Sequence, residues 1–241
     1  MIELEHLVKK FGDLTAVNDI SLTIARGEFF AVLGPNAAGK TTTIKLITGL
    51  LRPDSGTARI CGFDIQSEPL AARQRLAYVP DFPFLYDKLN AWEFFRFIGQ
   101  LFRIEPERIA KNGRELVDRF HLEEFAGRPL ESLSHGTRQR IAIVSALLHD
   151  PEVFVVDEPM VGLDPQHARI VKDVLKERSL AGMTVLVSTH QLSIAEEMSD
   201  RIGIIHGGKL IAVGTREELR LKSGSSGALE EVYLALTANG K

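Results

Sequence analysis

The sequence predicts an α/β fold in which a core of parallel strands follows an antiparallel β subdomain and is interrupted by an inserted helical subdomain. Three observations lead there: a strand that runs into a glycine-rich loop and a helix over 28–51, a stretch with helical spacing alone at 91–148, and two short β-branched runs at 153–156 and 184–189. In chain order, Ile2 and Leu4 alternate with Glu3 and Glu5, and Ile20, Leu22 and Ile24 alternate with polar residues. That is the pattern of half-buried strands, so the opening unit is antiparallel β. The run EFFAVL at 28–33 leads into GPNAAGKT, and Ile44, Ile47 and Leu51 carry helical spacing over 41–51, stopped by the turn cluster Pro53, Asp54, Ser55 and Gly56.

Between 78 and 102 lie nine of the 17 aromatic residues, a concentration that predicts an unusual packing or docking surface. The helical stretch breaks near Glu105–Pro106 and Arg128–Pro129. The runs at 153–156 and 184–189 then read as buried parallel strands. A hairpin follows over 201–213, with Gly207 and Gly208 supplying the positive φ pair of a two-residue turn. The sequence SGSSG at 223–227 reads as a flexible link, and Leu229, Val232, Tyr233 and Leu236 mark one face of a final helix. The expected organisation is a single domain over 1–241: core and β subdomain from 1–80 and 151–222, helical subdomain at 81–150, link and C-terminal helix at 223–241.

Among 241 residues, 29 Lys plus Arg face 32 Asp plus Glu, a formal charge of −3. No nucleic-acid partner or polybasic anchor is expected. The longest uncharged apolar stretch, IAIVSALL at 141–148, is far below the roughly 18 residues that cross a bilayer. No apolar h-region of a secretion signal opens the chain, and Cys61, the single cysteine, allows neither an internal disulfide nor a Cys-rich metal site. A soluble cytosolic protein is the expectation.

The sharpest local signal is Gly34-Pro35-Asn36-Ala37-Ala38-Gly39-Lys40-Thr41, a full GxxxxGK[ST] P-loop between a strand and a helix. Its backbone N–H groups can turn around a polyphosphate, aided by the helix N-terminus. Lys40 is placed to bridge the terminal phosphates and the Thr41 hydroxyl to ligate Mg²⁺. Such a loop needs a carboxylate for the metal, and VFVVDE supplies Asp157 at the end of an apolar strand, followed by Glu158 as a candidate general base. The core is thus expected to be a P-loop NTPase (RecA-like) core.

With these motifs in hand, the chain resembles the ATP-binding cassette of ABC transporters over nearly its whole length. Leu133-Ser134-His135-Gly136-Thr137-Arg138-Gln139-Arg140 is similar to the family's LSGGQ signature and following QR pair. The resemblance implies that Ser134 and Gly136 of one subunit close over ATP held by the P-loop of another; taken alone, Ser134 is equally a helix N-cap. Gly162-Leu163-Asp164-Pro165 resembles the D-loop, while Asp164 also reads as an N-cap before Pro at N1. His190, after the strand at 184–189, falls at the switch histidine. Phe11 falls at the adenine-stacking aromatic, with an N-terminal core Phe as its competitor. The resemblance further extends nucleotide binding from the P-loop to Thr42.

Three departures stand out. Ala37 occupies a usual Gly, which costs roughly 1–2 kcal/mol if φ is positive there. His135 and Thr137 replace Gly and Gln in the signature, a drift similar to exporter-type cassettes. Asp81, in Tyr78-Val79-Pro80-Asp81, replaces the Q-loop Gln; it can ligate Mg²⁺ or belong to the subunit-coupling surface. Altogether the resemblance implies an ATP-hydrolysing subunit using ATP and Mg²⁺, at the cytoplasmic face of the membrane through a separate transmembrane permease. It implies pairing with a second ABC ATPase subunit, in a homodimer or heterodimer, and an exporter. The rival readings are a soluble ABC ATPase of assembly or repair, and a binding module that nucleotide merely switches.

Overall fold

A computed structural model describes residues 1–224 and 229–238. Strand β1 (Ile2–Phe11) pairs antiparallel with β2 (Leu14–Ile24), placing Ile2 opposite Ile24 and Leu4 opposite Leu22. Its other edge takes β4 (Ser55–Ile60), and β5 (Phe63–Asp64) completes a four-stranded sheet. Ile2, Leu4, Ile20, Leu22 and Ile24 are all buried, as their alternation with polar residues predicts.

The six-stranded sheet has the order β10-β9-β3-β8-β7-β6. Its members are β3 (Phe29–Leu33), β6 (Leu76–Val79), β7 (Val153–Asp157), β8 (Thr184–Thr189), β9 (Arg201–His206) and β10 (Lys209–Gly214). All neighbours are parallel except the β9–β10 hairpin, which turns at Gly207 (φ 55°) and Gly208 (φ 76°) as expected. Every residue of β3, β7 and β8 is buried, because both faces of this sheet are covered. Phe29, Phe154, Val156, Val185 and Val187 face one layer of helices; Phe30, Val32, Val153, Val155 and Leu186 face the antiparallel sheet and α1 (Lys40–Ile47). A second helix on the way, α2 (Pro69–Arg73), is short.

The helical layer consists of α3 (Ala91–Leu101), α4 (Pro106–Arg119), α5 (His135–Leu147) and α6 (Pro165–Leu180). Asn90 opens α3 with a reciprocal capping box to Glu93, and Pro106 sits at the first turn of α4. Phe94 and Phe95 enter the core with Ile109, Leu116, Ile141 and Val144. The rest of the aromatic stretch divides: Phe82, Phe84 and Tyr86 are exposed, Phe84 at 92%. Phe84 borders a groove lined also by Tyr78, Pro80, Pro83, Leu85, Phe94, Ile98, Phe102 and His149. There the His149 ring stacks on Phe102 at 3.8 Å between centroids.

Burial pushes the His149 pKa down from 6.5 to about 4. The unfolded chain therefore binds more protons than the folded chain between those values, and stability falls as the pH is lowered from about 6.5 toward 4. Replacement His149→Phe is expected to remove that loss, on the order of 2–3 kcal/mol. Urea melts of both proteins at pH 7 and pH 4.5 check this: their difference should shift in favour of the variant at the lower pH.

Two local expectations change. The helix expected over 41–51 ends at Ile47, because Gly49 adopts φ 71° and breaks the spacing that Leu51 continues in sequence. Ser223 belongs to the end of α8 (Arg216–Ser223), and Gly224 is its left-handed cap at φ 69°. The remainder of the expected link, 225–227, lies outside the described residues. Between β8 and β9 runs α7 (Leu192–Met198), and the final helix is α9 (Leu229–Ala238), where Leu229 and Val232 pack with Leu33, Ile202, Ile204 and Leu219. Among the described residues no helix is long and apolar enough to cross a membrane.

Candidate functional site

Parallel pairing brings three strand ends together: Leu33 lies beside Thr189, and Asp157 beside Ser188. The carboxyl ends of such strands are where open α/β sheets bind ligands. From the end of β3 the P-loop curls back over its own lysine. Lys40 Nζ donates to the Gly34 carbonyl at 2.6 Å and the Pro35 carbonyl at 3.1 Å. Burial holds its pKa below the usual lysine value, opposed by the charges of Glu158 and Asp157. Gly39 is required: at φ 108°, its Cβ would stand 2.5 Å from the Ala16 carbonyl oxygen. Ala37 does adopt a positive φ, 62°, so the strain expected from a Cβ there is present.

Thr41 Oγ1 donates to Asp157 Oδ2 at 2.8 Å, and Ser188 Oγ donates to the other carboxylate oxygen. One residue on, Glu158 has φ 49°, a strained backbone for a side chain of its length. Its carboxylate is held from β8: His190 N donates to Oε1 at 3.0 Å, Thr189 Oγ1 to Oε2 at 3.2 Å, and His190 Nδ1 lies 2.7 Å from Oε1. Two of the three candidate catalytic groups, Glu158 and His190, are in direct contact, with Lys40 lining the same cavity as Glu158.

These elements surround a cavity of about 460 Å³. It is lined by Pro35, Asn36, Ala37, Ala38, Gly39, Lys40, Thr41 and Thr42, by Asp81, Asp157 and Glu158, and by Phe11, Leu14, Thr15, Ala16, Gly207 and Gly208. Gly34 contributes its carbonyl to Lys40 from behind. Phe11 is 49% exposed on the cavity rim, which excludes the core-Phe reading. Asp81 shares the cavity with two other carboxylates; burial and the charges of Asp157 and Glu158 push its pKa up, partly countered by His135 and His190.

Ser134, Gly136 and Asp164 do not line this cavity. Ser134 caps α5, its Oγ accepting from Thr137 N at 3.3 Å, and Asp164 caps α6, accepting from Gln166 N at 3.0 Å and His167 N at 3.1 Å. Both N-cap readings therefore hold. Gly136 allows a close approach: a Cβ there would lie 2.5 Å from the Gly162 carbonyl oxygen.

The family described as ABC transporter matches residues 17–161. The chain belongs to the ABC transporter family. It is 37% identical over 240 residues to the linearmycin resistance ATP-binding protein of Bacillus subtilis, covering 100% of this chain and 76% of that protein. With the daunorubicin/doxorubicin resistance ATP-binding protein of Streptomyces peucetius it shares 37% identity over 225 residues, 93% and 68% of the two chains. A solved ATP-binding subunit of an ABC transporter superposes with a TM-score of 0.94 at 32% identity, over 98% of this chain and 99% of that one. Another ATP-binding cassette, solved as a dimer in a post-hydrolysis state with ADP and Pi, gives 0.81 at 27% identity over 89% and 98%.

As an ABC ATPase, the chain is the ATP-binding and ATP-hydrolysing subunit of a transporter, built on a P-loop NTPase core. Its site contains residues that sequence reasoning passed over. Ser188 and Thr189 hold the two carboxylates. The Thr15–Ala16 segment and Gly208 close the far side of the P-loop. For Ser188 and Thr189 a signal existed, two hydroxyl residues directly before His190. For Thr15, Ala16 and Gly208 there was none, since they meet the loop through tertiary packing alone.

Proposed function

We propose that two cassettes hydrolyse MgATP at shared sites and so drive a separate permease of exporter type from the cytoplasmic face of the membrane. The observation that carries this is the division of the site: Lys40, Thr41, Asp157 and Glu158 meet at one cavity, while Ser134, Gly136 and Asp164 lie elsewhere on the same chain. A second copy can supply the missing half. The similar cassette solved as a dimer with ADP and Pi supports pairing, and the resistance proteins of Bacillus and Streptomyces support export.

In this reading the backbone N–H groups of 36–42 and the Lys40 side chain bind the phosphates, and Phe11 stacks on the adenine. The hard oxygens of Thr41 and Asp157, 2.8 Å apart, suit Mg²⁺, with Asp81 as an outer carboxylate. Among the described residues no group of three or more His, Cys, Asp or Glu could hold a metal ion. When bound, Mg²⁺ neutralises charge on the phosphates. Glu158 takes a proton from the water whose oxygen bonds to Pγ, while the bond from Pγ to the β–γ bridging oxygen breaks and ADP leaves carrying that oxygen. His190, bonded to Glu158 from outside the cavity lining, orients it. The chain works as one domain, with 1–80 and 151–222 carrying most of this half-site, 81–150 adding Asp81 and the signature, and α9 packing on the core through Leu229 and Val232.

For the permease, the apolar groove bordered by Phe84 and Leu85 is the proposed seat of a short apolar segment. Phe84→Asp is expected to abolish recovery of a multi-span membrane protein with the tagged cassette from detergent-solubilised membranes, leaving ATP binding unchanged. Equal recovery of that protein with wild type and variant contradicts the docking site.

A further inference from the structure

Ser134 stands at the exposed end of a hydrogen-bond chain whose direction is fixed at its buried end. Arg140, 4% exposed, can only donate. Its Nη1 donates to the Phe120 carbonyl at 2.7 Å and the His121 carbonyl at 3.2 Å, at the C-terminal end of α4, where the helix dipole favours a cation. Its Nη2 donates to Thr137 Oγ1 at 3.3 Å. Thr137 is itself buried, and its hydroxyl lies 2.9 Å from Ser134 Oγ.

A hydroxyl has one proton, and a buried one without an acceptor costs about 1–3 kcal/mol. Ser134 Oγ is the acceptor that the structure gives the Thr137 proton. Were Ser134 the donor instead, the Thr137 proton would be stranded in the core. Ser134 Oγ also accepts from Thr137 N at 3.3 Å. Both of its lone pairs are then engaged, and its own proton is left to point outward from an exposed position.

We propose that Arg140 and Thr137 are positioning residues that fix Ser134 as a hydrogen-bond donor toward an anionic oxygen, the γ-phosphate of ATP held by a second copy. This rests on the shared-site reading above. It gives a reason for Thr137, where the family usually has Gln: the hydroxyl passes the direction set by Arg140 on to Ser134. Arg140 and Thr137 touch no phosphate themselves and act through Ser134.

The test is a double-mutant cycle read as the MgATP-driven dimerisation constant, with Glu158→Gln as the parent so that ATP persists. Thr137→Val, which keeps the shape and removes the hydroxyl, should weaken the dimer about tenfold, and Thr137→Ser should restore it to within about twofold. In a Ser134→Ala background, Thr137→Val should add nothing. Thr137→Ala replaces Thr137→Val in the cycle if thermal melting shows the latter misfolded. A Thr137→Val effect that is absent, or that persists in full beside Ser134→Ala, overturns the positioning role alone. A parent that does not dimerise with MgATP, or a Ser134→Ala variant that dimerises like the parent, overturns the shared-site reading and the relay with it.

Discussion

Glu158→Gln is expected to bind ATP much as the wild type does and to hydrolyse it at least about 10²-fold more slowly. The amide keeps the length and shape of the carboxylate but accepts a proton poorly. The geometry favours a clean effect, because Glu158 is anchored from β8 by Thr189 Oγ1 and by the His190 backbone, so the replacement stays in place. Its backbone φ of 49° fixes where the side chain departs, whichever residue stands there. Single-turnover phosphate release measures the effect. Near-normal turnover would remove Glu158 from the general-base role.

Lys40→Ala is expected to lower MgATP affinity by about 10- to 100-fold, the range for losing hydrogen bonds from a charged donor to phosphate. Lys40 also holds the Gly34 and Pro35 carbonyls, so its loss loosens the curl of the loop as well as removing charge. The fold should survive, because truncation also relieves the burial of a cation. Calorimetric titration with MgATP is the measurement, and unchanged affinity would contradict the phosphate-binding assignment of the P-loop.

The parts of this site that were legible in the sequence are those carried by contiguous residues. Gly34 to Thr41 form one loop, Asp157 and Glu158 end one strand, and Asp164–Pro165 start one helix, so pattern and spacing sufficed. Buried strands were legible for the same reason, since Thr184–Thr189 is β-branched and apolar on both faces. What was hidden depends on chain segments that meet only in the fold. Gly39 needs to be glycine because Ala16, from β2, stands over it. Phe11 could not be assigned between rim and core, because a strand-end aromatic fits either. The end of α1 was missed because Leu51 continues the helical spacing past Gly49, whose left-handed backbone decides the matter.

We propose that ATP joins two copies, each lending its signature to the cavity of the other. The most direct test is the mass of the Glu158→Gln chain by light scattering, in MgATP and in MgADP. If the γ-phosphate selects the closed pair, the chain is a dimer with MgATP and a monomer with MgADP. A monomer in both, or a dimer equally populated with MgADP, would contradict it.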